Sequence, residues 1–318
     1  MRSLIIALAV VATTAGAQDY PSKPIRILVP FAPGGVVDTS TRILTQKMTE
    51  RLKWSFVIEN RPGGNGFIAT TAVAKSPNDG YTLLMAHTGE FAVNPALFAN
   101  VPYELERDFI PVTMVSDAPM LYLAKSAASF NSFQELVAAA KAKPGSITFS
   151  SAGNGSINHL AGEWLAVAAG IKLTHVPYKG GAPAAQAVGA GDVDFGVMGV
   201  PGAAPFLKSG RGKVIGITTA KKSPLDPSWA TPRDAGIQDL DASIWVGLFA
   251  PKGTPQPVVD KLNGEVRKTL ADPDLQKRFV ESGGAEAVGM SSSEFLARIK
   301  QDAERYGRVV KAAGVKAE

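Results

Sequence analysis

The stretch Ile25-Arg-Ile-Leu-Val-Pro-Phe-Ala-Pro-Gly-Gly-Val-Val-Asp38 decides the fold class. Its apolar run, Ile25 to Val29, has the length of a buried strand, and Pro30 to Gly35 read as a turn. Val37, Leu44, Met48 and Leu52 then fall on one face at helical spacing. Strand, glycine turn and helix make the first part of a βαβ unit. A turn of this kind leaves backbone N–H groups unpaired at a helix N-terminus, where an anion can sit without a basic side chain.

The pattern returns along the chain. Phe56 to Asn60 read as a second strand, Arg61 to Gly66 as a turn, and Phe67 to Lys75 as a helix. A third strand, Tyr81 to Ala86, ends at His87-Thr88-Gly89, and Asn94-Pro95 open a short helical turn. Val112 to Val115 and Met120 to Ala124 are expected as two further strands. Ser132-x-x-Glu135 caps a helix running to Lys143. Ile147 to Ser150 then lead through Ser151-Ala-Gly-Asn-Gly-Ser156 into a helix from Ile157 to Ala169. Leu173 to Val176 lead in the same way through Pro177-Tyr-Lys-Gly-Gly-Ala-Pro183. Strands are expected at Asp194 to Met198, Val214 to Thr218 and Ile244 to Ala250, with a Pro-rich connector from Pro224 to Pro232. Two amphipathic helices close the chain, the last capped by Ser291-x-x-Glu294 and carrying Phe295, Ile299, Tyr306, Val310 and Ala313 on one face. Strands alternating with helices imply an α/β fold of parallel or mixed sheets covered on both faces.

Composition narrows the class. A chain of 318 residues with 19% charged and 45% hydrophobic residues is that of a globular protein, long enough for two domains. Arg2, the apolar run Leu4 to Ala12 and Ala15-Gly16-Ala17 read as a signal peptide cleaved after Ala17. The apolar run is too short to span a bilayer, so a soluble, exported mature protein is expected. The absence of cysteine excludes disulfides, thiolate catalysis and thiolate metal sites. The net charge of +5 is spread in scattered residues, with no aromatic-interleaved patch for nucleic acid.

Four glycine turns precede helices: Pro33-Gly34-Gly35, Gly63-Gly64-Asn65-Gly66, Gly153-Asn154-Gly155-Ser156 and Gly180-Gly181. Any one of them serves tight-turn geometry alone; four together favour a shared small-anion site. Gly153-x-Gly155 lacks the third glycine of a dinucleotide fingerprint, and no P-loop occurs. His87, His159 and His175 show no i, i+4 pairing, so neither a metal nor a cofactor is expected. Ser156 with His159 is the one pair that suggests a hydrolase, but the sequence is G-N-G-S-I and lacks the nucleophile elbow. Asp38, the candidate base, stands where a carboxylate commonly serves helix N–H groups.

Tyr20-Pro-Ser-Lys-Pro-Ile-Arg26, Pro30-Phe-Ala-Pro-Gly-Gly35 with Asp38, Glu59-Asn-Arg-Pro-Gly-Gly64, Asp79-Gly-Tyr-Thr-Leu83, Asn94-Pro95, His175-Val-Pro-Tyr-Lys-Gly180 and Gly247-Leu-Phe-Ala-Pro251 resemble the motifs of Bug-type receptors. These are the periplasmic substrate-binding proteins of the tripartite tricarboxylate transporter family. The resemblance implies a two-lobed Venus-flytrap fold of the type II periplasmic binding protein kind. Lobe 1 would comprise residues 18–119 and 246–318 and lobe 2 residues 120–245, with crossovers near Met120 and Trp245. It also implies a non-enzymatic, monomeric receptor that passes a small organic acid to permease subunits in the membrane.

Carried over residue by residue, the ligand contacts would be Phe31, Ala32, Pro33, Gly34, Gly35, Asn65, Gly66, Phe67, His87 and Thr88 from lobe 1. Lobe 2 would add Ser151, Ala152, Gly153, Asn154, Gly155, Ser156, Tyr178, Lys179 and Gly180. On this reading Gly34→Val abolishes binding with the fold largely intact. Ala187 departs from the acidic residue common in the family, and His87 to Glu90 lie where the family varies with ligand. A dicarboxylate, a tricarboxylate or an aromatic acid would fit, and a sensory role for the same binding event is the alternative to transport.

Overall fold

The computed structural model describes residues 20–238 and 240–316; the predicted signal peptide and its cleavage site lie outside them. Strand β1 (Ile25–Val29) is followed by α1 (Val36–Leu52), β2 (Phe56–Asn60), α2 (Phe67–Ala74) and β3 (Thr82–His87). A π-helical turn, Gly89–Val93, leads to the short α3 (Asn94–Leu97) and α4 (Leu105–Asp108). Next come β4 (Phe109–Lys125), α5 (Phe133–Ala142), β5 (Thr148–Ser151), α6 (Ile157–Ala169), β6 (Thr174–Pro177) and α7 (Gly181–Ala190). The chain continues through β7 (Phe195–Gly199), α8 (Val200–Lys208), β8 (Gly212–Ile217) and β9 (Ser243–Pro251). It closes with α9 (Gln256–Leu270), α10 (Pro273–Gly283), β10 (Glu286–Ala287) and α11 (Ser292–Ala313).

The strands form two lobes that share one member. In the first lobe the order is β2-β1-β3-β9-β4, with β1 parallel to both neighbours and Ile27 opposite Ile58 and Leu83. In the second, the far half of β4 pairs with β7 on one side and β8 on the other, and β5 and β6 continue in parallel beyond β7. The sequence pattern predicted two strands, at Val112 to Val115 and Met120 to Ala124, where the structure has the single 17-residue β4. Asp117 and Pro119 look like a break in sequence, yet they stand opposite Trp245 and Ser243 in the ladder with β9. Pro119 sits where β4 leaves β9 and takes up β7 and β8, a ladder end at which a missing N–H costs little.

The return crossing is pinned by Thr218. Its N–H donates to Met120 O (3.0 Å), its Oγ1 accepts the Met120 N–H (2.9 Å) and donates to Ala242 O (2.6 Å). Both crossing segments are buried here, so these groups would otherwise be orphaned. The terminal helices return to the first lobe. Helix α11 buries Phe295, Ile299, Tyr306 and Val310 as its apolar pattern predicts, and also Asp302, which the pattern gives no reason to bury. Asp302 Oδ2 accepts the Trp245 Nε1–H at 3.0 Å and Arg298 Nε at 2.7 Å, which satisfies both a core tryptophan and a buried carboxylate.

Candidate ligand-binding site

The turn after β1 is built around Asp38. One residue of the turn, Gly34, adopts φ +87°, a conformation that glycine enters at no steric cost, and its N–H donates to Asp38 Oδ2 at 2.9 Å. Arg42 Nε lies 3.0 Å from both Asp38 oxygens, and Asn60 Nδ2 ties Asp38 Oδ1 (3.0 Å) to Phe31 O (2.9 Å). Burial opposes ionisation of Asp38, but the bonds from Arg42, Gly34 and Asn60 outweigh it and hold its pKa below the ordinary value. Asp38 is therefore a fixed, fully engaged anion. The expectation of unpaired N–H groups needs one correction, because the Gly34 N–H is taken. Those of Gly35, Val36 and Val37 have no acceptor among the described residues. A β-carbon added at Gly34 would meet no atom within 4 Å, so the positive φ of the backbone is the first obstacle to Gly34→Val.

The second turn places Asn65 at φ 48° and Gly66 at φ 87°, directly before α2 and Phe67. Asn94, opening α3, holds it: Asn94 Nδ2 donates to Asn65 O and to Tyr103 Oη, both at 2.9 Å. At the end of β3 the His87 ring lies 4.4 Å from that of Phe31, centroid to centroid. Thr88 is fully buried and its hydroxyl is spent on the crossing strand, donating to Ser243 O (3.1 Å) and accepting the Trp245 N–H (3.0 Å). The structure thus gives Thr88 a crossing contact where a ligand contact was expected.

In the second lobe, Ser151 Oγ lies 2.7 Å from His175 Nε2, and Ala152 O accepts the Gly180 N–H at 3.1 Å, joining the two turns of this lobe. Gly153 approaches Tyr178 so closely that a β-carbon would lie 3.2 Å from the Tyr178 carbonyl. Tyr178 packs on the smaller core of this lobe, whereas Lys179 is exposed. Ser156 caps α6, accepting the His159 N–H at 3.2 Å while donating to Gly153 O at 2.8 Å.

The turns of the two lobes touch. Asn65 Nδ2 donates to Asn154 O at 3.3 Å, and a β-carbon on Gly155 would overlap Leu97 Cδ2 of α3. Likewise Gly199, at the end of β7, faces Val36 at the start of α1. A separate cavity of about 380 Å³, bounded by Phe91, Phe98, Leu105 and Ile299, includes none of the turn residues.

This two-lobed arrangement has relatives. The family described as "Tripartite tricarboxylate transporter family receptor" matches residues 40–315. The chain belongs to that family. The receptor is 31% identical to Protein BugT of Bordetella pertussis over 314 residues, 98% of this chain and 96% of that one. It superposes on R. palustris Rpa4515 with adipate at a TM-score of 0.89, with 31% identity, covering 94% of this chain and 99% of that one. For MatC (Rpa3494) from Rhodopseudomonas palustris with bound malate the TM-score is 0.82 at 31% identity, covering 92% and 100%. The Bug-type resemblance and the two-lobed α/β fold both hold.

The family is one of solute receptors, and the receptor's own geometry offers the serine–histidine pair no catalytic contact. Ser156 Oγ meets the backbone of His159, whose ring Nδ1 instead accepts the Gly155 N–H at 3.1 Å. That ring stacks on His175 with centroids 3.7 Å apart. Burial, then the adjacent His159, pushes the His175 pKa down to about 4. The stacked rings support the Ser151–Ser156 turn, with the neutral form of His175 favoured. Three residues near the site went unassigned in sequence: Asn94, Leu97 and Glu90. For Glu90 a signal existed, an acidic residue next to the apolar run Phe91-Ala92-Val93.

Proposed function

We propose that the protein is a periplasmic receptor that closes on a small organic carboxylate and delivers it to the membrane subunits of a tripartite tricarboxylate-type transporter. Residues 1–17 act as its export signal. Lobe 1 comprises residues 18–119 and 246–318, lobe 2 residues 120–245, and the protein performs no chemistry on its ligand. The observation that carries this reading is the meeting of the Asn65 and Asn154 turns across the two lobes. It is joined by family membership and by two similar receptors whose structures hold adipate and malate.

The ligand's carboxylates lie among Phe31 to Gly35, Asn65 to Phe67, His87, Ser151 to Ser156 and Tyr178 to Gly180. With few fixed charges at these turns, backbone N–H groups and small polar side chains supply the contacts. Charge-assisted hydrogen bonds contribute about 1.5–3 kcal/mol each, so three to five of them reach the roughly 8 kcal/mol of a micromolar receptor. The ligand favours closure only as far as it contacts the closed form better than the open one. The test is a thermal-shift screen of residues 18–318 against dicarboxylates, tricarboxylates and aromatic acids. Saturable stabilisation by an acid that is recovered unchanged supports the proposal; consumption of the acid contradicts it.

A further inference from the structure

Glu90 is wholly buried in the turn after β3, and one of its two carboxylate oxygens has no hydrogen-bond partner. Oε2 accepts the His87 N–H at 2.8 Å and lies 2.8 Å from His87 Nδ1. Oε1, pressed against Gly66 so closely that a β-carbon there would overlap it, has no hydrogen-bond partner. Among the described residues the only ion-pair partner of Glu90 is His87. Tyr103 is the other titratable group on it, and its hydroxyl donates to the Glu90 backbone carbonyl at 2.9 Å. A buried carboxylate with one oxygen unpaired and no lysine or arginine beside it is costly while charged.

We infer that Glu90 and His87 share one proton, and that this makes His87 an obligate hydrogen-bond donor towards the ligand. The inference rests on the receptor reading above. If the proton resides on Nδ1, His87 is an imidazolium and Nε2 carries hydrogen. If it resides on Glu90, Nδ1 is an acceptor and the neutral ring again carries its hydrogen on Nε2. The Gly89 N–H, 3.0 Å from Nδ1 and directed at it, favours the second arrangement. In both, Nε2–H is the free end. It has no partner among the described residues, it is not sealed from solvent, and its ring stands beside Phe31 of the first turn. An anionic oxygen is the group that this donor fits. Glu90 is the positioning residue, and the lobe gains a fixed N–H donor for an anionic oxygen without a fixed positive charge.

The test is Glu90→Gln. Its amide oxygen, the atom that the His87 N–H requires in the place of Oε2, forces hydrogen onto Nδ1 and turns Nε2 into an acceptor that repels a carboxylate. Nitrogen-15 NMR of histidine-labelled protein without ligand, with the His87 signal assigned by His87→Asn, reads the tautomer directly. We expect an Nε2–H ring or an imidazolium in the wild type and an Nδ1–H ring in the variant. Calorimetry with adipate and malate is expected to show affinity at least tenfold weaker in the variant, for whichever acid the wild type binds. A wild-type ring protonated only at Nδ1 overturns the inference even if Glu90→Gln does not fold, and so does a folded variant that binds within twofold of wild type. Failure of every acid to bind the wild type, with its ring protonated at Nε2, counts against the receptor reading and leaves the dyad standing.

Discussion

Gly155→Ala separates closure from folding. Gly155 sits at φ +70°, and its missing side chain faces Leu97 of the other lobe. Alanine in this left-handed conformation costs roughly 1–2 kcal/mol, but the cost is paid equally with the lobes together or apart and so falls on stability. The methyl group overlaps Leu97 Cδ2 only when the lobes meet. Overpacking of this kind costs about 1–3 kcal/mol, so the closed state alone is penalised and Kd weakens about 5- to 150-fold. Truncating the partner, Leu97→Ala, removes the overlap. The assay is a double-mutant cycle by calorimetric titration with the best acid from the thermal-shift screen. Gly155→Ala should weaken binding, and Gly155→Ala with Leu97→Ala should regain most of the loss relative to Leu97→Ala alone. An undiminished affinity in Gly155→Ala, or a loss that the second change does not relieve, refutes the contact as part of the liganded state.

Gly66→Ala places a methyl against the buried Glu90 carboxylate at a backbone φ of +87°; with strain of roughly 1–2 kcal/mol and overpacking of roughly 1–3 kcal/mol, urea denaturation should show a loss of about 2–5 kcal/mol, and a loss below 1 contradicts the packing. Trp245→Phe removes the donor to Asp302 while keeping most of the ring volume; a bond to a charged group is worth about 1.5–3 kcal/mol, and urea midpoints unchanged from wild type would show that it contributes nothing. His175 is held neutral by a pKa lowered from 6.5 to about 4. Its contribution to stability is present in full above the unfolded value and is lost as pH falls from about 6.5 to about 4, where the unfolded chain binds the extra proton. His175→Gln should flatten stability against pH over that window, and an unchanged slope would place the titration elsewhere.

Much of the architecture was legible because its signals are local. Glycine turns after short apolar runs located β1, β2, β5 and β6, and a serine with a glutamate three residues later located α5 and α11. The apolar stripe of α11 was read correctly at Phe295, Ile299, Tyr306 and Val310. What failed depends on partners distant in sequence. Asp117 and Pro119 read as an interruption of β4 because their compensation lies more than a hundred residues away, in β9 and α11. Asp302 is buried for the sake of Trp245, a pairing that no helical periodicity encodes. Helix α8 has no clear signal in sequence, since Pro201 and Pro205 lower its propensity, though Pro201 stands in its first turn, where proline is tolerated.

The candidate site divided in the same way. Turn positions could be named from glycine and asparagine, since positive φ at Gly34, Asn65, Gly66, Gly153 and Gly155 is a property of the residue type. Which polar groups remain free for a ligand could not be named. The Gly34 N–H and the Thr88 hydroxyl are spent internally, on Asp38 and on the crossing strand. The contact of Gly155 with Leu97 exists only because two lobes meet.

The measurement closest to the central claim is calorimetric titration of residues 18–318 with adipate and malate, with each acid assayed before and after for turnover. The account predicts saturable one-to-one binding of at least one of them, with a negative heat-capacity change as the lobes bury apolar surface on closing and with the acid recovered intact. Absence of binding by both acids and by every acid of the thermal-shift screen, or chemical conversion of a bound acid, would contradict it.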